Sequence, residues 1–341
     1  MSSGIKMKNP KVTVLMSVYN GEKYLREAVD SILGQTFKDF EFLIVNDGST
    51  DKSGEILESY NDPRIEIINN NKNIGISKSR NKGLRIARGK YIAVMDADDI
   101  SLPRRLEKEV EFLEQNRNMG LVGTDYLIIN EKGKVIHAVR CINGYRELKI
   151  KLLEGNQFAH GSIMFKKECT KKVGFYREEF MLALDYDLIL RISEKFEVSN
   201  IPEFLYKWRI NIESVSVKKK ALQDKYALMA IEFAKERRQS GKDKLQSLKK
   251  EEIDNLLDEL ISSSEGQNKK EAAKGYFSYG LVLLNGRDYK GALKLVTKSF
   301  IIYPLDINNW LLLFKTIIVS FFPKSFIIFL KYIKQSLYQR K

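Results

Sequence analysis

Tyr91-Ile92-Ala93-Val94-Met95, followed directly by Asp96-Ala97-Asp98-Asp99, is a short apolar run that ends in three carboxylates within four residues. An apolar run of this length reads as a strand. Carboxylates at its end crowd negative charge where open α/β sheets bind their ligands. Hard oxygen ligands of this kind suit Mg²⁺ or Mn²⁺, and such a cation usually completes its shell with substrate phosphates. The stretch therefore predicts a metal-held diphosphate at the carboxyl end of a strand.

The residues upstream fit the same sheet. Val12-Thr13-Val14-Leu15-Met16-Ser17 reads as a strand, and Tyr24 to Leu33 as a helix with Leu25, Ala28, Val29 and Ile32 on one face. Phe40 to Val45 is a second strand, closed by the turn Asn46-Asp47-Gly48-Ser49. A helix over Asp51 to Tyr60, a strand over Ile65 to Ile68 and a helix over Ile76 to Ala87 complete the series before Tyr91. Strands alternating with short helices imply right-handed βαβ units and a mainly parallel sheet. Downstream, the pattern predicts a helix from Pro103 to about Asn116 and strands over Leu121 to Asn130 and Lys134 to Val139. A helix at Tyr145 to Leu153, a strand at Ser162 to Phe165, a helix at Asp185 to Lys195 and a last strand at Phe204 to Trp208 follow.

Charge divides the chain. The net charge is +14, but residues 1–216 hold 34 Lys and Arg against 31 Asp and Glu, whereas residues 217–341 hold 24 against 13. Positive charge is thus wanted by a partner of the C-terminal third. No zinc-finger, RNP or helix-turn-helix signature accompanies it, so nucleic acid is not the expected partner. The two cysteines, Cys141 and Cys169, match no metal or redox spacing. The polar, basic segment from Met1 to Lys11 lacks the apolar core of a signal peptide, which predicts a cytoplasmic catalytic part.

From about Lys218 onward the composition shifts to helix formers, with breaks expected at Gln239–Asp243 and Ser262–Gly266. The spacing of Gly280, Ala292, Ser299 and Pro304 is similar to one tetratricopeptide repeat, but a plain helical hairpin capping the catalytic domain is the favoured reading. No Asp or Glu follows Asp306, whereas Lys315, Lys324, Lys331, Lys334, Arg340 and Lys341 do. The apolar run from Trp310 to Pro323 and its continuation at Phe326 to Leu330 fall short of the ~20 residues of a spanning helix. Helices lying on an anionic leaflet fit this pattern, with a buried helical pair as the alternative. Three segments are expected: an α/β domain at 1–216, a helical region at 217–306, and a basic apolar tail at 307–341.

Val12 to Asn20, Asn46-Asp47-Gly48-Ser49-Thr50-Asp51, Ser79-Arg80-Asn81 and Asp96-Ala97-Asp98-Asp99 occur in an order and spacing that resembles the family 2 glycosyltransferases, over about residues 11–216. The resemblance implies the GT-A fold, a Rossmann-like, mainly parallel sheet with helices on both faces. It also implies transfer of a sugar from a nucleotide donor, with inversion, to a glycan or lipid-linked acceptor in surface polysaccharide or glycoconjugate synthesis. Asp47 is then similar to the aspartate that binds uracil, and Ser17, Val18 and Tyr19 to the segment around base and ribose. Arg80, Asp96 and Ala97 fall at nucleotide-facing positions. Asp96 and Asp98 resemble the metal-binding pair for Mn²⁺ or Mg²⁺, with Asp99 able to substitute. Leu184-Asp185-Tyr186-Asp187 resembles the segment carrying the catalytic base, which makes Asp185 the base and Asp187 its rival. Leu184 departs from the family pattern, which has an acidic residue there.

Each of these residues also has a plainer reading. Asp96 to Asp99 can cap the helix that begins near Pro103, Asp185 can be an N-cap, and His160 can be a structural histidine. The Gln-x-x-Arg-Trp motif of processive synthases is absent, and Tyr206-Lys207-Trp208-Arg209 does not match it, so one transfer per binding event is expected. The expectation is a UDP-sugar-dependent transferase, peripheral at the inner face of the membrane. The competing expectation is a catalytically decayed, nucleotide-sugar-binding scaffold that acts through its helical tail.

Overall fold

The computed structural model describes residues 9–265 and 269–321. The expected tail residues Lys324, Phe326 to Leu330, Lys331, Lys334, Arg340 and Lys341 lie outside the described residues, as does the segment Met1 to Lys8.

Nine strands form one sheet: β1 Val12–Val18, β2 Phe40–Asn46, β3 Ile65–Asn69, β4 Tyr91–Asp96, β5 Ile100–Ser101, β6 Met119–Ile129, β7 Val135–Val139, β8 Met164–Lys166 and β9 Glu197–Arg209. The order is β3-β2-β1-β4-β8-β6-β9-β5, with β7 pairing with β6. The β3-β2-β1-β4 half is parallel, and the pairs β4–β8, β6–β8 and β5–β9 are antiparallel. The fold class expected from sequence is therefore present, with an antiparallel extension on the β4 side.

Seven helices accompany this sheet: α1 Leu25–Leu33, α2 Ser53–Glu58, α3 Ile76–Ile86, α4 Arg105–Gln115, α5 Tyr145–Lys151, α6 Lys167–Val173 and α7 Leu184–Ser193. In α1, Leu25, Ala28, Val29 and Ile32 are buried, as their helical spacing requires. They join Val12, Val14, Met16, Phe40, Phe42, Ile44, Ala93 and Met95 in one core. A buried ion pair crosses that core. Arg105, fully buried, donates to Glu109 at 3.0 Å and to the carbonyl of Val94 at 2.7 Å, and so ties α4 to β4 just before the carboxylates.

Two compact units emerge. Among the described residues, the first comprises 9–128, Ala138–Arg209 and Lys225–Leu257; the second comprises Ile129–His137, Ile210–Asp224, 258–265 and 269–321. The remaining helices are α8 Val215–Lys218, α9 Lys220–Ser240, α10 Lys250–Glu265, α11 Lys269–Asn285, α12 Tyr289–Ile302 and α13 Ile307–Phe321. Within the first unit Phe180 meets Tyr226 and Phe233 edge to face, and Arg237 pairs with Glu194 at 2.8 Å. Those contacts bind Lys225–Leu257 to the α/β elements. Within the second unit, α11 and α12 form the hairpin that the small residues predict. A Cβ on Gly280 would stand 2.7 Å from Val296, while Ala292 and Ser299 are fully buried. No helix among the described residues is long and apolar enough to cross a membrane.

Candidate active site

β1 lies between β2 and β4, so the chain turns to opposite sides of β1 after it. At such a switch point the loops leave the carboxyl ends of the strands in opposite directions and open a crevice. Ser17 stands beside Asp96 across the β1–β4 ladder, and Val18 beside Asn46 across β1–β2. The loops after β1 and β2 interlock through side-chain oxygens. Asn20 N donates to Ser49 Oγ at 3.1 Å, Gly21 N to Ser53 Oγ at 2.9 Å and Glu22 N to Asp51 Oδ2 at 3.0 Å. The Asp-Gly-Ser-Thr-Asp stretch is thus a rigid rim. Tyr19, 50% exposed, stands on it, whereas the Val18 side chain is buried and its carbonyl accepts from Asp47 N at 2.8 Å. The buried Asp47 carboxylate accepts from Asn70 Nδ2, Ile74 N and Gly75 N at 2.8, 3.0 and 3.0 Å, which holds the loop entering α3. Two carboxylate oxygens offer about four acceptor positions, so one remains.

The three carboxylates after β4 have separate environments. Asp96 Oδ1 accepts from Arg80 Nη2 at 2.5 Å, and Arg80 is itself buried. Asp99 is buried, with Oδ2 accepting from the Tyr206 hydroxyl and Oδ1 from Arg209 N, both at 2.8 Å. Asp98 is partly buried; its backbone carbonyl accepts from Arg209 Nε at 2.7 Å, and its own backbone N–H and the Arg209 charge favour its ionised form. Burial and the neighbouring Asp96 carboxylate push the Asp98 carboxyl up to about 6. Nor do the carboxylates cap α4, whose N-cap is Arg104.

A divalent cation fits this donor set. The Asp98 carboxylate is destabilised by burial and by the like charge of Asp96, the situation a cation relieves. Ser17 Oγ, on the adjacent strand, is buried without a hydrogen-bond partner. No group of three or more His, Cys, Asp or Glu placed to hold a metal occurs among the described residues. Such a set matches a cation held by one or two carboxylates and completed by phosphate oxygens rather than a closed protein cage.

The opposite wall comes from the region after β7. His160-Gly161-Ser162 forms a short 3₁₀ turn, and His160 Nε2 lies 3.0 Å from the Tyr176 hydroxyl. Arg80 sits under the Tyr176 ring at 5.9 Å. Burial and the Arg80 charge hold His160 well below the ordinary imidazole value, so it is neutral. Asp185 occupies the first turn of α7, whose N-cap is Ala183. It is partly buried, accepts from Asn156 Nδ2 at 3.0 Å, and is raised by burial and by Asp96. Asp187 differs in kind. It is fully buried and ion-paired with Arg191 at 2.7 Å, with Arg177 at 3.7 Å. Leu184 is also buried, so the departure from the family pattern falls on a core position.

Gly161, Tyr206 and Arg209 escaped the sequence reading. A Cβ at Gly161 would sit 1.9 Å from the Tyr206 hydroxyl and 3.0 Å from Asp96 Oδ2. Gly161→Ala must therefore displace the side chain that anchors Asp99. The expected result is transfer reduced at least tenfold with destabilisation of about 1–3 kcal/mol, checked by activity and urea melts on the same preparation. Tyr206 and Arg209 carried a signal, an aromatic and a cation closing an alternating strand, but their partners lie more than a hundred residues away.

A family model described as glycosyl transferase family 2 matches residues 13–174. An uncharacterized glycosyltransferase of Methanocaldococcus jannaschii is 41% identical over 211 residues, spanning 60% of this chain and 72% of that protein. The O-antigen biosynthesis glycosyltransferase WbnJ of Escherichia coli is 35% identical over 233 residues, spanning 66% of this chain and 90% of WbnJ. Among solved structures, S. aureus TarS residues 1–349 in complex with UDP-GlcNAc superposes with a TM-score of 0.55 at 16% identity, covering 90% of each chain. That likeness shows the shared fold, the GT-A fold that the sequence motifs imply.

Proposed function

The chain belongs to glycosyltransferase family 2, and from that premise we propose that it is a divalent-metal-dependent, inverting transferase. It moves one sugar per binding event from a UDP-sugar to a glycan or lipid-linked acceptor. The observation that carries this reading is the division of labour among four carboxylates. Asp96 is held by Arg80 and Asp99 by Tyr206 and Arg209, while Asp98 and Asp185 are partly buried carboxylates that have no ion pair at salt-bridge distance among the described residues and are raised by burial and by the Asp96 charge. O-antigen synthesis by the similar WbnJ supports a surface polysaccharide as the acceptor class.

In this reading Asp98 is the direct metal ligand and Asp96 the second, with Arg80 fixing the Asp96 rotamer. When bound, the cation supplies charge neutralisation for the leaving diphosphate. Asp47 and Tyr19 take the base, one by its remaining acceptor position and one by stacking. Asp185 accepts the proton of the acceptor hydroxyl, since Asp187 is committed to Arg191. The raised pKa of Asp185 makes it a stronger base than an ordinary aspartate once ionised. Asn156 Nδ2 donates to one of its oxygens and orients the carboxylate. The interlocked rim and the Gly161 turn keep donor and acceptor aligned.

The burial of Leu184 counts against the decayed-scaffold reading, because an acidic residue there would not reach the crevice. Association with an anionic leaflet stays part of the proposal. Trp310, Leu311 and Phe314 of α13 are exposed, and the sequence after Asp306 carries no carboxylate. The test is UDP release from a panel of UDP-sugars with Mn²⁺ and with EDTA. Turnover with Mn²⁺ and none in EDTA supports the reading; UDP release that is indifferent to EDTA contradicts its metal dependence.

A further inference from the structure

At the other end of the sheet a cavity of about 1020 Å³ opens beside the start of β1 and β4 and the end of β8. Tyr91, on its wall, lies five residues before Asp96, so the cavity and the carboxylates are about 17 Å apart along β4. The nucleotide crevice does not include it.

Its lining is cationic in an unusual way. Lys166 is only 8% exposed, and its ammonium donates to the Arg117 carbonyl at 2.5 Å. Lys167 donates to the Ala87 carbonyl at 2.6 Å. Neither ammonium has a carboxylate partner among the described residues, and neither do the Arg117 guanidinium and the Lys171 ammonium. Lys11 and Lys90 share the single carboxylate Glu114, at 2.8 and 3.6 Å. Arg88 is neutralised by Glu41 and Glu66 from outside the cavity. Six cations therefore face the three carboxylates Asp39, Glu114 and Glu168. Holding a half-buried ammonium on a carbonyl alone wastes donors and charge, since each ammonium carries three N–H groups.

We propose that this cavity is a second anion site, which takes a phosphate or diphosphate group. Lysine ammoniums serve as point charges for such groups, and Lys166 and Lys167 come pre-oriented by their carbonyl bonds. The phosphate belongs either to a soluble phosphorylated molecule or to a lipid headgroup; both present the same dianionic oxygens.

The test is calorimetry of the full chain with inorganic pyrophosphate in EDTA, paired with flotation on vesicles containing phosphatidic acid. Wild type, Lys171→Glu, Lys167→Gln and Asp98→Ala are compared. The expected result is pyrophosphate binding weakened about tenfold by each lysine substitution, the size of one lost charge-assisted hydrogen bond, and unchanged in Asp98→Ala. Lys171 is on the surface, so its variant folds, and its transfer activity is the check. Vesicle binding reduced by the lysine substitutions, with no pyrophosphate binding, assigns the phosphate to a headgroup and still supports the site. Neither ligand responding to Lys167 or Lys171 overturns it. So does pyrophosphate binding that is lost in Asp98→Ala and kept in Lys171→Glu, which would belong to the donor crevice.

Discussion

Asp98→Ala lowers sugar transfer by about 10³-fold while the folded state is kept. Burial and the like charge of Asp96 destabilise this carboxylate more than its own backbone N–H and the Arg209 charge favour it, so its removal relieves a net unfavourable charge. What disappears is the direct contact to a cation whose stabilisation of the leaving diphosphate is worth several kcal/mol, or about three decades in rate. The measurement is kcat/KM for the donor, with the urea midpoint as control. A variant of equal stability and full activity would remove Asp98 from the site. The neighbouring Asp99 behaves differently on physical grounds: it is buried and joins β4 to β9 through Tyr206 and Arg209.

Asp185→Asn lowers kcat by about 10²–10⁴-fold, the range of a lost general base, and leaves the donor KM near its starting value. The amide keeps the volume and an acceptor toward Asn156 but cannot take a proton. The pH profile carries the sharper signature. Burial and Asp96 raise the Asp185 pKa, and only the ionised form is a base. Wild-type kcat/KM therefore rises with pH through that raised pKa, along an acid limb displaced upward from an ordinary aspartate's. In Asp185→Asn the residual rate loses this limb. Asp187→Asn separates the two rivals, because uncoupling the buried Arg191 costs stability, about 3–5 kcal/mol, with no change of the pH limb. A limb that survives in Asp185→Asn and vanishes in Asp187→Asn would reverse the assignment.

How legible this was in the sequence follows the range of the interactions. β1, β2, β4, α1 and α3 are written in local periodicity, because each buries its own apolar spacing against the parallel sheet. β5, of two residues, exists only through its pairing with β9, and α6 buries just Cys169 and Thr170, too little to leave a helical pattern. The last strand was expected at Phe204 to Trp208 but runs from Glu197 to Arg209, since its early residues pack as strand without alternating. Similarly, the carboxylate string was visible as a string, whereas the difference among its members was not. Arg80, Tyr206 and Arg209 make that difference, and they converge from 16, 107 and 110 residues away. Gly161 was invisible for the same reason: only the nearness of Tyr206 makes a glycine necessary there.

Calorimetric titration of the purified chain with UDP and with GDP, each with Mn²⁺ and with EDTA, tests the donor site most directly. UDP binding that requires Mn²⁺, exceeds GDP binding and disappears in Asp98→Ala is the expected result. Folded protein that binds neither nucleotide, or binds UDP equally in EDTA and in Asp98→Ala, would contradict the metal-held diphosphate at the end of β4.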